Sequence, residues 1–565
     1  MFFSVLVRGL ICLLLLTLVA CDEEQLRQCK DDGIRDVDEC LARDIEPELE
    51  PNLPTDDGEI EIPDEPVLSS ITLSGHVTYT SYPPTRAGLD YLSPTEKPIR
   101  GAVVELRDLG GKVLDSGLTS STGDYSLSAP LRTRVRVVVK AALGAPNSLD
   151  TKIVDNTNQG ALYALTKEVI TEESNFNLNF NANSGWDGNA YSNTRAAAPF
   201  AILDTIYQAQ QIVKEIDSNV IFPLLLVNWS KENKPSSGEI SEGDIGSSYY
   251  SAQKVQLFVL GAEDSDTDEY DSHVIAHEWG HYFLDQFSRS DSIGGSHGSG
   301  DKLDLTVAFS EGFSNALSAI VMSDTHYIDT AFLQQSTMAV GFDVDENYVY
   351  LNGSYSEDSV QEIIYDVYDS DAADDDELKL GFGPIYDALV GGHKNTRAFT
   401  TIFSFLHYLK LGSPLHSEAI RDLAESEYIY SDNEFEGTER ILYTNLPLNG
   451  LSVSEDNAGN SLIVKRGNDF GNRAFFKSQA ILANCYTFTA TPIFNGNLMF
   501  NLPRVWSLPS MQRYAGAIDN TYSGHESFSV YLKEDEVIGF AVATSGEDTA
   551  FSINATVSDD SSMCE

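Results

Sequence analysis

The chain has 565 residues, 42% of them hydrophobic and 10% aromatic, which is material for roughly three or four packed cores. It carries 86 acidic against 36 basic residues, a net charge of −50. Such a field repels phosphates and argues against a nucleic-acid partner; it suits a well-solvated protein outside the cytoplasm. The six cysteines are Cys12, Cys21, Cys29, Cys40, Cys485 and Cys564. Proximity pairs Cys29 with Cys40 and Cys485 with Cys564, as an oxidising compartment allows, and two other pairings of these four are formally possible.

Residues 1–21 read as an export signal: Arg8, then an almost wholly apolar run from Leu10 to Leu18, too short to span a bilayer comfortably. The segment ends Leu18-Val19-Ala20-Cys21 and resembles the lipobox of bacterial lipoproteins. That resemblance implies cleavage before Cys21, lipidation of Cys21 and a place on the cell envelope, with inner or outer membrane undecided. An ordinary secretory signal with an incidental cysteine is the alternative. Residues 22–68 are acidic and proline-bearing and cannot bury enough apolar surface to fold alone. They read as a stalk, in which Cys29 and Cys40 could close a small knot.

Between residues 69 and 145 the pattern turns to short alternating runs punctuated by Gly and Asp, which predicts an antiparallel sandwich. Ser74-Gly75-His76-Val77, then Gly101-Ala102-Val103-Val104-Glu105-Leu106, then Thr122-Gly123-Asp124-Tyr125-Ser126-Leu127 resemble the transthyretin-like, carboxypeptidase-regulatory type of domain. His76 reads as a strand-face residue. Residues 146–189 read as connecting strands and loop. From residue 190 a helical stripe runs over Ala198, Ile202, Ile206, Ala209 and Val213. Phe222 to Val227 and Tyr249 to Val259 each read as one strand.

His277-Glu278-Trp279-Gly280-His281 has the form H-E-x-x-H within an apolar run. On a helix, positions four apart share a face, so His277 and His281 present their imidazoles together, with Glu278 alongside. Two neutral nitrogens and a carboxylate beside them are what a zinc hydrolase needs, with a third protein ligand still to be found. Leu284 and Phe287 occupy the positions where a metzincin continues its motif, so that class is excluded. Downstream, Leu305 to Leu317 reads as a helix with Glu311 and, four residues on, Asn315. This resembles the E-x-x-x-D helix of gluzincins such as thermolysin and fungalysin. The resemblance implies Glu311 as third ligand and Asn315, in place of the family's Asp, as the group orienting a ligand histidine. An aspzincin-like alternative takes Asp301 or Asp304 from the adjoining glycine-rich loop. His273 reads as a polar residue at the helix start, and Gly280 suggests close backbone packing beneath the site.

By the same resemblance Glu278 is the general base, and the oxyanion donor is a later Tyr or His, with Tyr355, Tyr365 and His393 as candidates. Asp264, Asp266 and Asp268 alternate before the helix, but Glu269 and Ile275 break the EF-hand pattern. Their ligand type permits calcium; a solvated acidic loop is the simpler expectation. Ser359 to Tyr368 and Ala398 to Leu409 read as helices, the acidic run from Asp369 to Glu377 as a solvated loop, and residues 447–565 as a second sandwich stapled by Cys485–Cys564. The expectation is a multidomain protein: a zincin-like α+β catalytic domain at 190–446, flanked by N- and C-terminal β-sandwich domains. It would be a lipid-anchored zinc endopeptidase acting on peptide or protein substrates. A lipoprotein with an inactive zincin domain, serving surface binding or adhesion, is the rival.

Overall fold

The computed structural model describes residues 70–171, 175–298, 300–346, 351–369, 378–435, 442–456, 473–493, 497–503, 526–545, 550–558 and 564. The signal, the stalk, Cys21, Cys29 and Cys40 lie outside the described residues, as does all but the first residue of the acidic run after Tyr368.

The N-terminal region is two facing sheets. Ser70–Ser81 runs the length of the first, pairing antiparallel with Thr95–Pro98 and Asp124–Pro130 and parallel with Phe176–Asn177 and Phe180–Ala182. Alternation decides which side chains point inward: in Asp124–Pro130, Tyr125, Leu127 and Ala129 are buried while their neighbours are exposed. The second sheet runs in the order Ala164–Ile170, Arg134–Lys140, Val103–Arg107, Val113–Leu118. The segment 146–189, expected to be connecting strands and loop, is thus built into this sandwich. It also supplies Ser148–Asp155 to the next sheet.

That next sheet is six-stranded and mixed. Ser148–Asp155, Leu225–Trp229 and Gln256–Val259 pair in parallel, with Tyr249–Ser251 at one edge. Tyr249 to Val259, expected as one strand, is a hairpin. The turn contains Val255 at φ 53°, a left-handed conformation a β-branched residue rarely adopts and one that sequence does not signal. Helix α1 (Ala198–Ile216) has Pro199 in its first turn, where its fixed φ suits the helix. Helices α2 (Ser272–Gln286), α3 (Leu305–Met322) and α4 (Glu357–Tyr368) pack in succession, and α5 (Phe382–Ala388), α6 (Ile402–Gly412) and α7 (Ser417–Ser426) follow.

The C-terminal region is a second sandwich of two four-stranded sheets around Phe476, Phe488, Phe500, Phe540 and Phe551. Cys485 and Cys564 are disulfide-bonded. This sandwich is bound tightly to the helices. Arg473, on strand Arg473–Gln479, donates from Nε to Asp304 Oδ2 at 2.8 Å and from Nη2 to Asp304 Oδ1 and Thr306 Oγ1, with both charged residues about 98% buried. Phe399, Tyr443, Phe475 and Ala541 form an apolar seam beside this ion pair. Asp304 is also the N-cap of α3, accepting from Thr306 N at 3.0 Å.

Candidate metal centre

α2 and α3 cross where Gly280 meets Ser314. A Cβ on Gly280 would lie 2.8 Å from Ser314 Oγ and 3.0 Å from Ser314 Cα, so only glycine lets the two backbones approach this closely. The crossing sets His277 and His281 of α2 opposite Glu311 of α3. His277 Nε2 and His281 Nε2 are 3.1 Å apart, and Glu311 Oε2 is 3.3 Å from the first and 3.2 Å from the second. A tetrahedral ion about 2.0–2.1 Å from each of three donors requires them about 3.3 Å apart, so this donor set fits zinc.

The outer nitrogens are engaged from behind. His277 Nδ1 lies 2.7 Å from Asn315 Oδ1, and the Asn315 amide nitrogen donates to Gln361 Oε1 at 2.9 Å. A carbonyl oxygen only accepts, so Nδ1 of His277 carries a proton and Nε2 is the nitrogen turned to the shared point. His281 Nδ1 lies 3.0 Å from Ser310 Oγ and 3.2 Å from Ser314 Oγ. Burial works against charge on both sides of the triangle, yet the two imidazoles hold the Glu311 carboxyl well below its usual range. Glu311 in turn raises His281 despite that residue's burial.

The triangle opens into a cleft of about 810 Å³ whose walls include Glu278, Tyr250, Tyr327, His297 and Glu357. The edge strand Tyr249–Ser251 forms one wall and the glycine-rich segment Ser292–Gly298 another. Tyr327 sits edge-on to the His277 ring and stacks on Phe342 at 4.8 Å. His297 Nδ1 is 3.1 Å from the Gly295 carbonyl oxygen, to which it donates, and Nε2 is 3.3 Å from Glu357 Oε2 and 3.8 Å from Glu311 Oε2. Burial opposes its charge, but Glu357 and Glu311 outweigh burial and push His297 up to about 10. Neither His297 nor Tyr327 stands out in the sequence: one lies in a loop without periodicity, the other on an ordinary alternating strand.

The other residues singled out from sequence fall elsewhere. Asp304 is consumed by Arg473 and the α3 cap, and Asp301 Oδ2 accepts from Gly298 N at 2.8 Å; neither joins the donor triangle, contrary to the aspzincin-like alternative. Tyr355, Tyr365 and His393 do not line the cleft. Tyr365 donates to Asp369 Oδ2 at 3.3 Å, and His393 is fully buried with its ring 4.8 Å from that of Phe309. Burial pushes His393 down to about 3, so it is a neutral core residue. His273, expected at a polar helix start, is buried with Nδ1 3.2 Å from Ser318 Oγ and is pushed down to about 4 by burial. The acidic loop is not solvated throughout. Asp264 is exposed, but Asp266 is partly and Asp268 almost wholly buried.

No protein-family model matches the chain, and no curated protein matches it. Solved structures match over parts of it. The pre-peptidase C-terminal domain of collagenase from Bacillus anthracis is 5% identical with a TM-score of 0.13, over 20% of this chain and 98% of that one. PliG, a periplasmic inhibitor of g-type lysozyme from Aeromonas hydrophila, is 13% identical with a TM-score of 0.13, over 20% of this chain and 97% of that one. At those TM-scores the likenesses bear on neither fold nor activity.

Proposed function

We propose that the chain is a zinc metallopeptidase of gluzincin type. Its catalytic part would be residues 190–446 with the strand Ser148–Asp155 added to their sheet, between a first sandwich that takes strands from 70 to 182 and a second at 447–565, held at the envelope through a lipid on Cys21. The observation that carries the reading is the triangle of His277 Nε2, His281 Nε2 and Glu311 Oε2, with sides of 3.1–3.3 Å and both outer nitrogens engaged. Zinc, when bound there, supplies the Lewis acidity that makes water nucleophilic near neutral pH and polarises a carbonyl. Glu278, at the cleft wall, accepts the water proton on its carboxylate and returns it to the leaving amine. His297, which lines the cleft with Nε2 3.3 Å from Glu357 Oε2, takes the oxyanion-donor role in place of Tyr355, Tyr365 and His393 by turning that N–H from Glu357 to the substrate. Among the described residues, the edge strand Tyr249–Ser251 has one side unpaired in its sheet, and it borders the cleft. An extended substrate can add to it by backbone hydrogen bonds, which favours endopeptidase action.

The test pairs zinc analysis with casein cleavage for the wild type and Glu278→Gln. Stoichiometric zinc in both, with cleavage reduced at least about a hundredfold in the variant, is expected. A wild type that holds zinc yet cleaves no better than Glu278→Gln on varied substrates refutes the peptidase and leaves a surface-binding lipoprotein. Unchanged zinc content in His277→Ala refutes the site itself.

A further inference from the structure

A second cluster of ligand-type side chains lies beside α2 and takes no part in the donor triangle. Asp266 stands on the short strand Asp266–Thr267 and Asp268 on the loop between it and α2, and Asp329 lies on the strand His326–Ala331 that follows α3. Asp266 faces Ala331 across a strand pair, which brings the two segments together. One carboxylate oxygen from each of Asp266, Asp268 and Asp329 lies within 4.8 Å of the others. In all three, Oδ1 is buried and receives no hydrogen bond. Asp268 is only 3% exposed, with Ser248 Oγ bonded to its other oxygen. Neighbouring charges are spent elsewhere: Arg195 pairs with Glu269, and Asp271 accepts from Thr330 N and Oγ1.

An amide points to the same conclusion independently of the carboxylates. Gln335 is 1% exposed and lies against Asp266. Its Nε2 donates to the carbonyl oxygens of Thr330 and Thr267, which leaves Oε1 buried without a donor. Four buried oxygens without donors, three of them on carboxylates, repel one another unless protons or a cation stand between them. Burial accordingly pushes all three carboxyls up, Asp266 to about 6 and Asp329 to about 7; the Asp266 charge adds to the rise of Asp268 and Asp329, and Glu269 adds to that of Asp266.

We propose that Asp266, Asp268 and Asp329, with the Gln335 carbonyl, bind a hard divalent cation, calcium in preference to magnesium or zinc. An all-oxygen set of carboxylates and an amide carbonyl is calcium chemistry; zinc asks for nitrogen or sulfur, and magnesium holds its waters and demands a stricter octahedron. The ion ties the loop entering α2 to the strand leaving α3, so it braces the two helices that carry the metal donors. The proposal stands on these residues whether or not the chain is a peptidase.

The experiment uses the full chain in detergent, zinc-loaded, in calcium-buffered solution. Calorimetric titration with calcium and the thermal midpoint are read for wild type, Asp329→Asn and Asp266→Asn, with Glu311→Gln as a control for the other centre. One calcium per chain with Kd below about 100 μM is expected, raising the midpoint by about 5 °C or more at saturation. Each Asp→Asn change weakens binding about tenfold or more, Glu311→Gln leaves it unchanged, and Asp329→Asn melts above wild type without calcium because a like charge is gone. Terbium luminescence sensitised by buried Tyr327, which feels the charges of Asp329 and Asp268, reports the same site. No calcium uptake up to about 10 mM with an unmoved midpoint overturns the proposal. Uptake that neither Asp variant alters overturns it equally, by assigning the ion to the acidic surface. If one variant fails to fold, the other and the wild-type titration decide.

Discussion

Asn315 is where this donor site departs from the pattern it resembles, and it offers the sharpest measurement. Its Oδ1 lies 2.7 Å from His277 Nδ1, and its amide nitrogen donates to Gln361 Oε1 at 2.9 Å. Asn315→Ala removes the acceptor that fixes the His277 tautomer. Loss of such an orienting partner costs about 10–100-fold in metal affinity, or about 1.4–2.7 kcal/mol. Asn315→Asp works in the opposite direction. A carboxylate raises the basicity of His277, and the one clash it creates, with Gln361 Oε1, is relieved by a half-turn of the Gln361 amide. That turn is available because Gln361 Nε2 is buried with no partner of its own. The expected order of zinc affinity is Asn315→Asp at or up to about tenfold above wild type, and Asn315→Ala about 10–100-fold below. Competition against a chelator of known affinity measures all three, with circular dichroism as a check on folding. A folded Asn315→Ala protein within twofold of wild type would refute the orienting role.

Three further predictions concern the scaffold. Gly280→Ala sets a methyl 2.8 Å from Ser314 Oγ; overpacking of about 1–3 kcal/mol, less about 1 kcal/mol of helix propensity, leaves a net loss of up to about 2 kcal/mol in denaturant unfolding together with weaker zinc binding. Arg473→Met strands the buried Asp304 charge and costs about 3 kcal/mol, the low end for a broken buried pair because Thr306 N still bonds Asp304; a loss under about 1 kcal/mol would refute the clasp. The raised carboxyls of Asp266 and Asp329 contribute stability that is fully present below the unfolded Asp value near 4 and is lost as pH rises through about 6 and about 7. In calcium-free buffer, wild type should therefore weaken between about pH 4 and 7 relative to Asp329→Asn, and a parallel pH dependence of the two denaturant midpoints would contradict this.

Local periodicity made the two donor helices readable. Apolar residues at helical spacing frame His277, His281 and Glu311, and the structure has α2 at Ser272–Gln286 and α3 at Leu305–Met322. The i, i+4 relation of Glu311 and Asn315 was equally legible, because it depends on one helix alone. Features made by contacts distant in the chain were not. Asp329 lies about sixty residues beyond Asp268, and nothing in the alternating strand around it marks a partner for the earlier loop. His297 reaches Glu357 only because the glycine-rich segment folds over the cleft. Ser310 and Ser314 are generic helix residues until α2 is laid against them. The hairpin at Tyr249–Val259 was hidden because Ala252-Gln253-Lys254-Val255 holds no Gly, Pro, Asn or Asp to announce a turn.

The clasp between Asp304 and Arg473 also has a direction in time. Polypeptides are made from the N-terminus, and the two residues are 169 positions apart. Every donor of the triangle therefore leaves the ribosome well before the arginine that neutralises the cap of α3. Until the last sandwich closes, Asp304 has only the Thr306 N–H and hydroxyl and the helix dipole to hold its charge, at the N-terminal end of the helix that carries Glu311. The joint between the helices and the last sandwich therefore closes only after all three donor residues have been made.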